Sequence, residues 1–361
     1  TGAGSITNSG PGTAALTANS PAFTGTVTVG AGTLQFGDGG ADGSLGTANI
    51  DVFPGATFGI KRSGAPTIAN AISGAGAVNI SGGGSVIMSG INSYTGGVTV
   101  TDATHLRTTT DSPYGAVPFS PTANAIRLNM GGLKNQDSDT IIDANRGITI
   151  TTEGYFTAGW SKSLYVGGPI TGTGDIYINY DSGRVVFANT TSDWNGILTL
   201  GASKAGFTGT TGGILEINTF NNGATAGPLG ISSADPANLV FNGGRINYTG
   251  GDTNTDRGFT LQTSGTIDVS FANLAMSGLI TGPGSLTKTG AGILTLTGTN
   301  DFLGEKTINN GTLVLSYTTA LGSTASFVRF NSPAATPATL DLATDTSVAP
   351  YPVTIGAGFS G

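Results

Sequence analysis

Apolar and polar residues alternate in short runs along the whole chain, and the runs return in a fixed order with glycine between them. Four stretches, starting near residues 2, 74, 172 and 282, can be laid over one another position by position. The clearest reads GPGSLTKTGAGILTLTGTNDFLGEKTINNGTLVL from Gly282 to Leu315. Leu294 falls opposite Val185, Val86 and Ala14, and Leu296 opposite Phe187, Met88 and Leu16; all eight are apolar. The position between them holds Thr295, Val186, Ile87 and Ala15, which share no property. A strand of period two with one buried face gives this pattern, because successive side chains point to opposite sides.

A polar corner follows each strand pair. Asn300-Asp301-Phe302-Leu303-Gly304 is matched by Asn92-Ser93-Tyr94-Thr95-Gly96, by Ser192-Asp193-Trp194-Asn195-Gly196 and, with two extra residues, by Asn19 to Gly25. Asn and Ser are expected to bond their own backbone, Gly to supply a positive φ, and the aromatic to cover the bend. Phe23, Tyr94, Trp194 and Phe302 are therefore read as structural. The stretches between copies echo one another too: Arg127 to Gly132 resembles Val240 to Gly244, and each precedes an Arg-Gly pair, Arg146-Gly147 and Arg257-Gly258. These linkers read as further coils, of about 20 to 25 residues stacked ~4.8 Å apart. Self-similarity on this scale predicts a β-solenoid, in which each repeat packs only on its neighbours.

Composition narrows the function more than the fold. Only 10% of residues are charged and 61 are Gly, without the every-third spacing of collagen. The net charge of −7, from 14 basic and 21 acidic residues, offers no excess of cations for phosphate and speaks against nucleic acid as a partner. With no cysteine, neither disulfides nor thiolate sites are available. No apolar run approaches the roughly 18 residues of a membrane helix, so no transmembrane segment is expected.

The repeats resemble the autotransporter-associated β-strand repeat, also called the passenger-associated transport repeat, of large surface proteins of Gram-negative bacteria. GSLTKTGAGILTL from Gly284, YTGGVTV from Tyr94 and GTLQ from Gly32 carry the resemblance. The copy at Gly172 has drifted, with Asp175, Tyr177 and Tyr180 where the pattern prefers Leu, Thr or Gly. The resemblance implies a right-handed parallel β-helix, exported and displayed outside the cell. It implies no activity, because function on a fold belongs to its sites.

Candidate sites are few. Asp38, in Gly37-Asp38-Gly39-Gly40, half resembles a calcium-binding Gly-Asp nonapeptide, but it occurs once and reads better as a polar corner. Asp137 and Asp139, like Asp252 and Asp256, are spaced as an acid–base pair could be. Their recurrence in linkers favours solvated turns, with Asp143 or Asp256 pairing to the Arg-Gly arginines. His105 is the sole histidine and reads as a surface turn. Threonine pairs such as Thr26/Thr28, Thr99/Thr101 and Thr295/Thr297 raise ice binding, which ordinary strand propensity explains better. Among the aromatics between Tyr155 and Trp194, Trp160, Tyr165 and Tyr180 remain as surface-binding candidates, with Tyr177 closer to a core slot.

The expectation is an all-β chain: a single-stranded right-handed parallel β-helix, elongated and continuous over residues 1–361, forming a segment of a larger precursor. It is read as non-catalytic, without cofactor or metal, serving as a rigid stalk, fibre or extracellular matrix component, adhesive or self-assembling end to end. Expected partners are neighbouring copies or neighbouring parts of the precursor, with surface polysaccharide as a further candidate. The expected location is the outer surface or exterior of a Gram-negative-type bacterium. The rival reading is a polysaccharide-binding or polysaccharide-degrading β-helix protein.

Overall fold

The computed structural model describes residues 2–135, 137–159, 161–181, 183–201, 212–317, 319–331, 337–343 and 351–355. Two compact units divide between Gly174 and Asp175. In both, strands pair in parallel with the matching strand one coil further on, which makes the chain an all-β solenoid. Helix among the described residues is confined to two 3-10 turns, Ser112–Tyr114 and Pro236–Asn238.

In the first unit an eight-stranded sheet runs from Thr13–Leu16 through Thr33–Phe36, Thr57–Lys61, Ala77–Ser81, Val98–Thr101, Thr122–Asn129 and Arg146–Ile150 to Ile170–Gly172. A second face carries Ser5–Asn8, Thr26–Val29, Asn49–Val52 and Ile72–Ser73. A third carries Thr67–Ile68, Ser85–Met88, His105–Thr108, Gly131–Asn135 and Glu153–Gly159. The first sheet shows how the sequence fills the lumen. Leu34, Phe58, Val78, Val98, Ile126, Ile148 and Ile170 stand in register on successive coils, all of them buried. Each such side chain contributes about 1.5–3 kcal/mol by leaving water. Coil length varies freely around this ladder: Phe58 pairs with Val78, whereas Val98 must reach Ile126. The longer coil ends in a register shift between Thr122 and Ile126, and Asn124 there takes φ 62°.

In the second unit one sheet runs Arg184–Phe187, Ile214–Ile217, Gly244–Tyr248, Ser264–Val269, Ser285–Thr289, Lys306–Ile308, Val328–Phe330 and Val353–Ile355. Thr253–Thr255, Asn273–Met276, Ile293–Leu296, Gly311–Leu315 and Ala338–Leu342 make another. Asp175–Asp181, Leu198–Leu200, Leu239–Phe241, Phe259–Leu261 and Ile280–Thr281 form the third face. On the first of these sheets the inner ladder of Val185, Leu215, Ile246, Ile267, Lys288 and Ile308 contains a lysine. Lys306 likewise stands in register between Leu286 and Val328. Both lysines are 1% exposed, and strand alternation gave no warning of them. Lys288 Nζ donates to the carbonyls of Thr289, Gly290 and Asn310, at 2.7, 2.8 and 3.2 Å. Lys306 Nζ donates to Ser323 O and Ser326 Oγ and lies 5.0 Å from the centre of the Phe302 ring. Burial lowers the pKa of each to about 8.

Three expectations are corrected. Ala14 is exposed although its counterparts Val86, Val185 and Leu294 are buried, because Thr13–Leu16 is an edge strand with a single neighbour. The corner glycines Gly25, Gly96 and Gly304 have no positive φ. They are required for space: a Cβ on Gly96 or Gly304 would fall 2.4 or 2.2 Å from the carbonyl oxygen of Gly76 or Gly284 one coil back. The corner asparagines bond mainly across coils rather than to themselves. Asn92 Oδ1 accepts from Ile72 N–H, and Asn300 Oδ1 from Ile280 N–H while its Nδ2 donates to Ala320 O. The corner aromatics are structural as expected: Phe23, Tyr94, Trp194 and Phe302 are at most 8% exposed.

Candidate functional site

Of the three aromatic candidates, Tyr165 alone has a described side chain. It projects half-buried from Ser163–Val166, in register with Ile141, which is 65% exposed. Trp160 lies outside the described residues; Tyr180 lies on strand Asp175–Asp181, with its side chain outside them. Tyr177, read as nearer to the core, is half-buried and points outward between the buried Ile176 and Ile178.

Three of the four linker acids work as backbone caps. Asp139 accepts from Ser163 N–H at 2.7 Å, Asp252 from Asn273 N–H at 2.8 Å and Asp256 from Gly223 N–H at 2.7 Å. No group of three or more His, Asp or Glu among the described residues is arranged to hold a metal ion. The Arg-Gly arginines spend their donors elsewhere than on Asp143 and Asp256, although the Asp256 charge does act on Arg257. Arg146, 1% exposed, forms its ion pair with Asp111 at 2.8 Å and donates to the carbonyls of Tyr114, Gly115 and Ala116. Arg257 donates to Asn221 O and Gly230 O, and burial lowers its pKa to about 10. Both arginines lock a long corner onto the neighbouring coil, the planar guanidinium fork supplying donors to several carbonyls at once. A shallow cavity of about 140 Å³ opens beside Arg146, Tyr94 and Asn124.

A second concavity has a different chemistry. On the third face of the first unit, Ile87, Arg107, Lys134 and Thr157 occupy consecutive positions in register, and Ser85, His105 and Gly132 form the adjoining rank. These positions alternate with the buried Val86, Leu106, Leu133 and Phe156, so both ranks project away from the lumen. His105 therefore sits on a strand, not in the surface turn expected of it. Gly64, Gly83, Gly84, Ser85, Ala103, His105, Lys134 and Thr157 enclose about 270 Å³. Burial, with Lys134 and then Arg107 adding repulsion, lowers the His105 pKa to about 3. Thr157 is 2% exposed and its hydroxyl has no hydrogen-bond partner; the Nε of Arg107 is likewise buried without one. Sequence reasoning weighed His105 alone. Nothing in the chain order announces that residues 105, 107 and 134 meet.

The Passenger-associated-transport-repeat family profile matches at residues 6–36, 81–104 and 286–315, so the chain carries this repeat. These segments fall on the alternating strands described above, and the third lies within the copy beginning at Gly282. The chain is also similar to the protein named Adhesin BmaC autotransporter of Brucella suis biovar 1, with 36% identity over 218 residues. That alignment covers 56% of this chain and 6% of the adhesin, so the chain spans a small fraction of that relative's length. No solved structure matches the chain. No helix among the described residues is long and apolar enough to cross a membrane.

Proposed function

We propose that this chain is a non-catalytic passenger segment of a large adhesin-type protein displayed on the surface of a Gram-negative bacterium, where it serves as a stiff spacer. The observation that carries the reading is the 36% identity to an autotransporter adhesin over more than half of the chain. The solenoid supports it physically. Apolar ladders run through the lumen of each unit, and the polar groups of the corners are spent on bonds to the next coil, as with Asn92, Asn300, Arg146 and Arg257. Rigidity of that kind suits a spacer, since opening one coil sacrifices bonds to two neighbours. The acids that a degrading enzyme would need, Asp139, Asp252 and Asp256, serve as backbone caps, which favours the spacer over the enzyme.

An in-register deletion tests the reading. Thr266 and Thr287 are partners on adjacent coils, so removing residues 266–286 from the displayed parent protein excises one coil and rejoins equivalent positions. A spacer keeps its display, its resistance to protease and its adhesion after this change. Loss of adhesion with display and protease resistance intact overturns the spacer reading and puts a binding site in that coil. End-to-end association, the finer variant, is tested by sedimentation over a range of concentrations; a constant coefficient sinks it.

A further inference from the structure

The clasp made by Arg146 recurs at every aromatic corner. Each of the four is followed one coil on by a glycine laid against it, and two coils on by a buried side chain that donates to the carbonyls around that glycine. Gly115 lies against Tyr94, and its carbonyl accepts from Arg146 at 2.7 Å. Gly230 lies against Trp194 and accepts from Arg257 at 2.6 Å, and Gly322 lies against Phe302 and accepts from the Tyr351 hydroxyl at 2.9 Å. Gly46 lies against Phe23, and Asn70 donates to the carbonyls of Leu45 and Ala48 beside it, at 2.9 and 2.7 Å. The donors are an amide, two guanidiniums and a phenol, yet all four are at most 5% exposed. Position recurs where residue type does not.

The glycines set the geometry. A Cβ on Gly115, Gly230 or Gly322 would fall 3.0, 2.8 or 2.9 Å from a ring carbon of its aromatic, and the three take φ of 85°, 67° and 69°. Only glycine passes so close to a ring in that conformation. The residue after it then bonds the carbonyl of the aromatic: Ala116 to Tyr94, Ile231 to Trp194 and Ser323 to Phe302, each at 2.9 Å. Gly46 differs in having no positive φ. In every copy a carbonyl of the corner is left for the next coil to satisfy, because a buried carbonyl needs a donor.

We propose that the clasps are joints that set how this chain yields under load: Phe23 to Asn70, Tyr94 to Arg146, Trp194 to Arg257 and Phe302 to Tyr351 each open as one block of three coils, and the coils between blocks open singly. The parts of a clasp depend on one another in order. Drawing out the coil that carries the donor strips the corner carbonyls of their partner, the corner then has less to hold it over the ring, and a lifted corner bares the ring. Each loss makes the next one easier. Coils outside the blocks, such as the one from Thr266 to Thr287, are held to their neighbours by strand ladders. The use of the joints rests on the spacer reading, since a spacer is pulled; the contacts themselves do not.

The test is stretching of the full 361-residue chain between handles at its two ends in optical tweezers. At ~3.5 Å per residue, Trp194 to Arg257 should lengthen in one step of about 22 nm and Phe302 to Tyr351 in one of about 18 nm, against about 7 nm for a single coil such as Thr266 to Thr287. Arg257→Met should break the first step into pieces of about 13 nm or less and leave the second whole. Tyr351→Phe should do the reverse; it removes one hydroxyl and keeps the ring, so the test stays open where Arg257→Met does not fold. Coil-by-coil extension of the wild type, extension of the whole chain in a single step, or a wild-type step length in Tyr351→Phe overturns the joints. A variant that lowers the force without shortening its step overturns them too, and leaves the donors as local caps. Residues 266–286 lie between blocks, so their excision decides the spacer reading by adhesion alone, and either reading can fail without the other.

Discussion

Replacing Arg146 by Met removes a cation whose surroundings were built for it. The guanidinium is 1% exposed and holds Asp111 at 2.8 Å, Tyr114 O at 2.8 Å, Gly115 O at 2.7 Å and Ala116 O at 3.1 Å. The methionine stem recovers part of the apolar packing but offers none of the donors. Breaking one side of a buried ion pair costs about 3–5 kcal/mol. A buried carbonyl left without a donor costs about 1–3 kcal/mol, and these terms overlap because they describe one network. The expected loss is about 3–5 kcal/mol, concentrated in the corner from Asp111 to Ala116. In a solenoid this opens locally, so hydrogen exchange by mass spectrometry is the right assay, read on peptides covering residues 105–125. Exchange there should accelerate by a factor of 100 or more, since each 1.4 kcal/mol is tenfold, while peptides covering residues 26–52 stay protected. Arg146→Lys should recover only part of the protection, because an ammonium cannot reach the same four acceptors. Exchange in the corner within threefold of wild type, or acceleration spread evenly over the chain, would refute the account of Arg146 as the clasp of this corner.

Trp194 is fully buried at its corner, and Trp194→Ala should cost about 3–5 kcal/mol, measured by urea denaturation; a loss under 1 kcal/mol would mean the ring is not a packing element. Lys288 has a folded pKa of about 8, below its unfolded value near 10.5. The unfolded chain therefore binds more protons across pH 8–10.5, and stability rises with pH through that window by an amount on the order of 2 kcal/mol. Lys288→Met should lack this rise in denaturant titrations at stepped pH; a parallel rise in the variant would contradict it. His105 has a folded pKa of about 3 against roughly 6.5 unfolded, so its contribution is fully present above pH 6.5 and is lost as pH falls towards 3. His105→Gln should flatten this acid limb, by roughly 2–3 kcal/mol after allowance for partial exposure of the residue, and a limb as steep as wild type would count against burial of the ring.

Alternation along the chain was enough to place Leu294, Val86 and Val185 inside and Thr295 and Ile87 outside, because a strand position faces one side or the other whatever the rest of the coil does. Ala14 shows the limit of the rule: burial also needs a coil on each side, which an edge strand lacks. Lys288 and Lys306 show another limit. Their positions are apolar by pattern, and only the carbonyls presented by a neighbouring corner make room for an ammonium. Arg146 was noticed as part of an Arg-Gly pair, but its partner Asp111 lies 35 positions away, beyond the reach of local spacing. The pairing of Arg107 with Lys134 was illegible for the same reason. They meet because the buried Leu106 and Leu133 fix the register of the two strands, across a corner whose length a coil such as Phe58 to Val78 does not announce.

Variable coil length thus connects the scaffold to its chemistry. The lumen tolerates no slippage, since a shift of one residue would put Thr99 or Arg127 among Val78, Ile126 and Ile148. Extra residues must therefore leave as corners, and each enlarged corner then needs its own satisfied hydrogen bonds. Asp111, Arg146 and the Ser112–Tyr114 turn supply these for the coil that joins Val98 to Ile126. The strands on either side of that corner keep Leu106 opposite Leu133, and so Arg107 opposite Lys134, whatever the corner's length. Corner length can thus vary without disturbing either the apolar ladder or the pairs on the outer face.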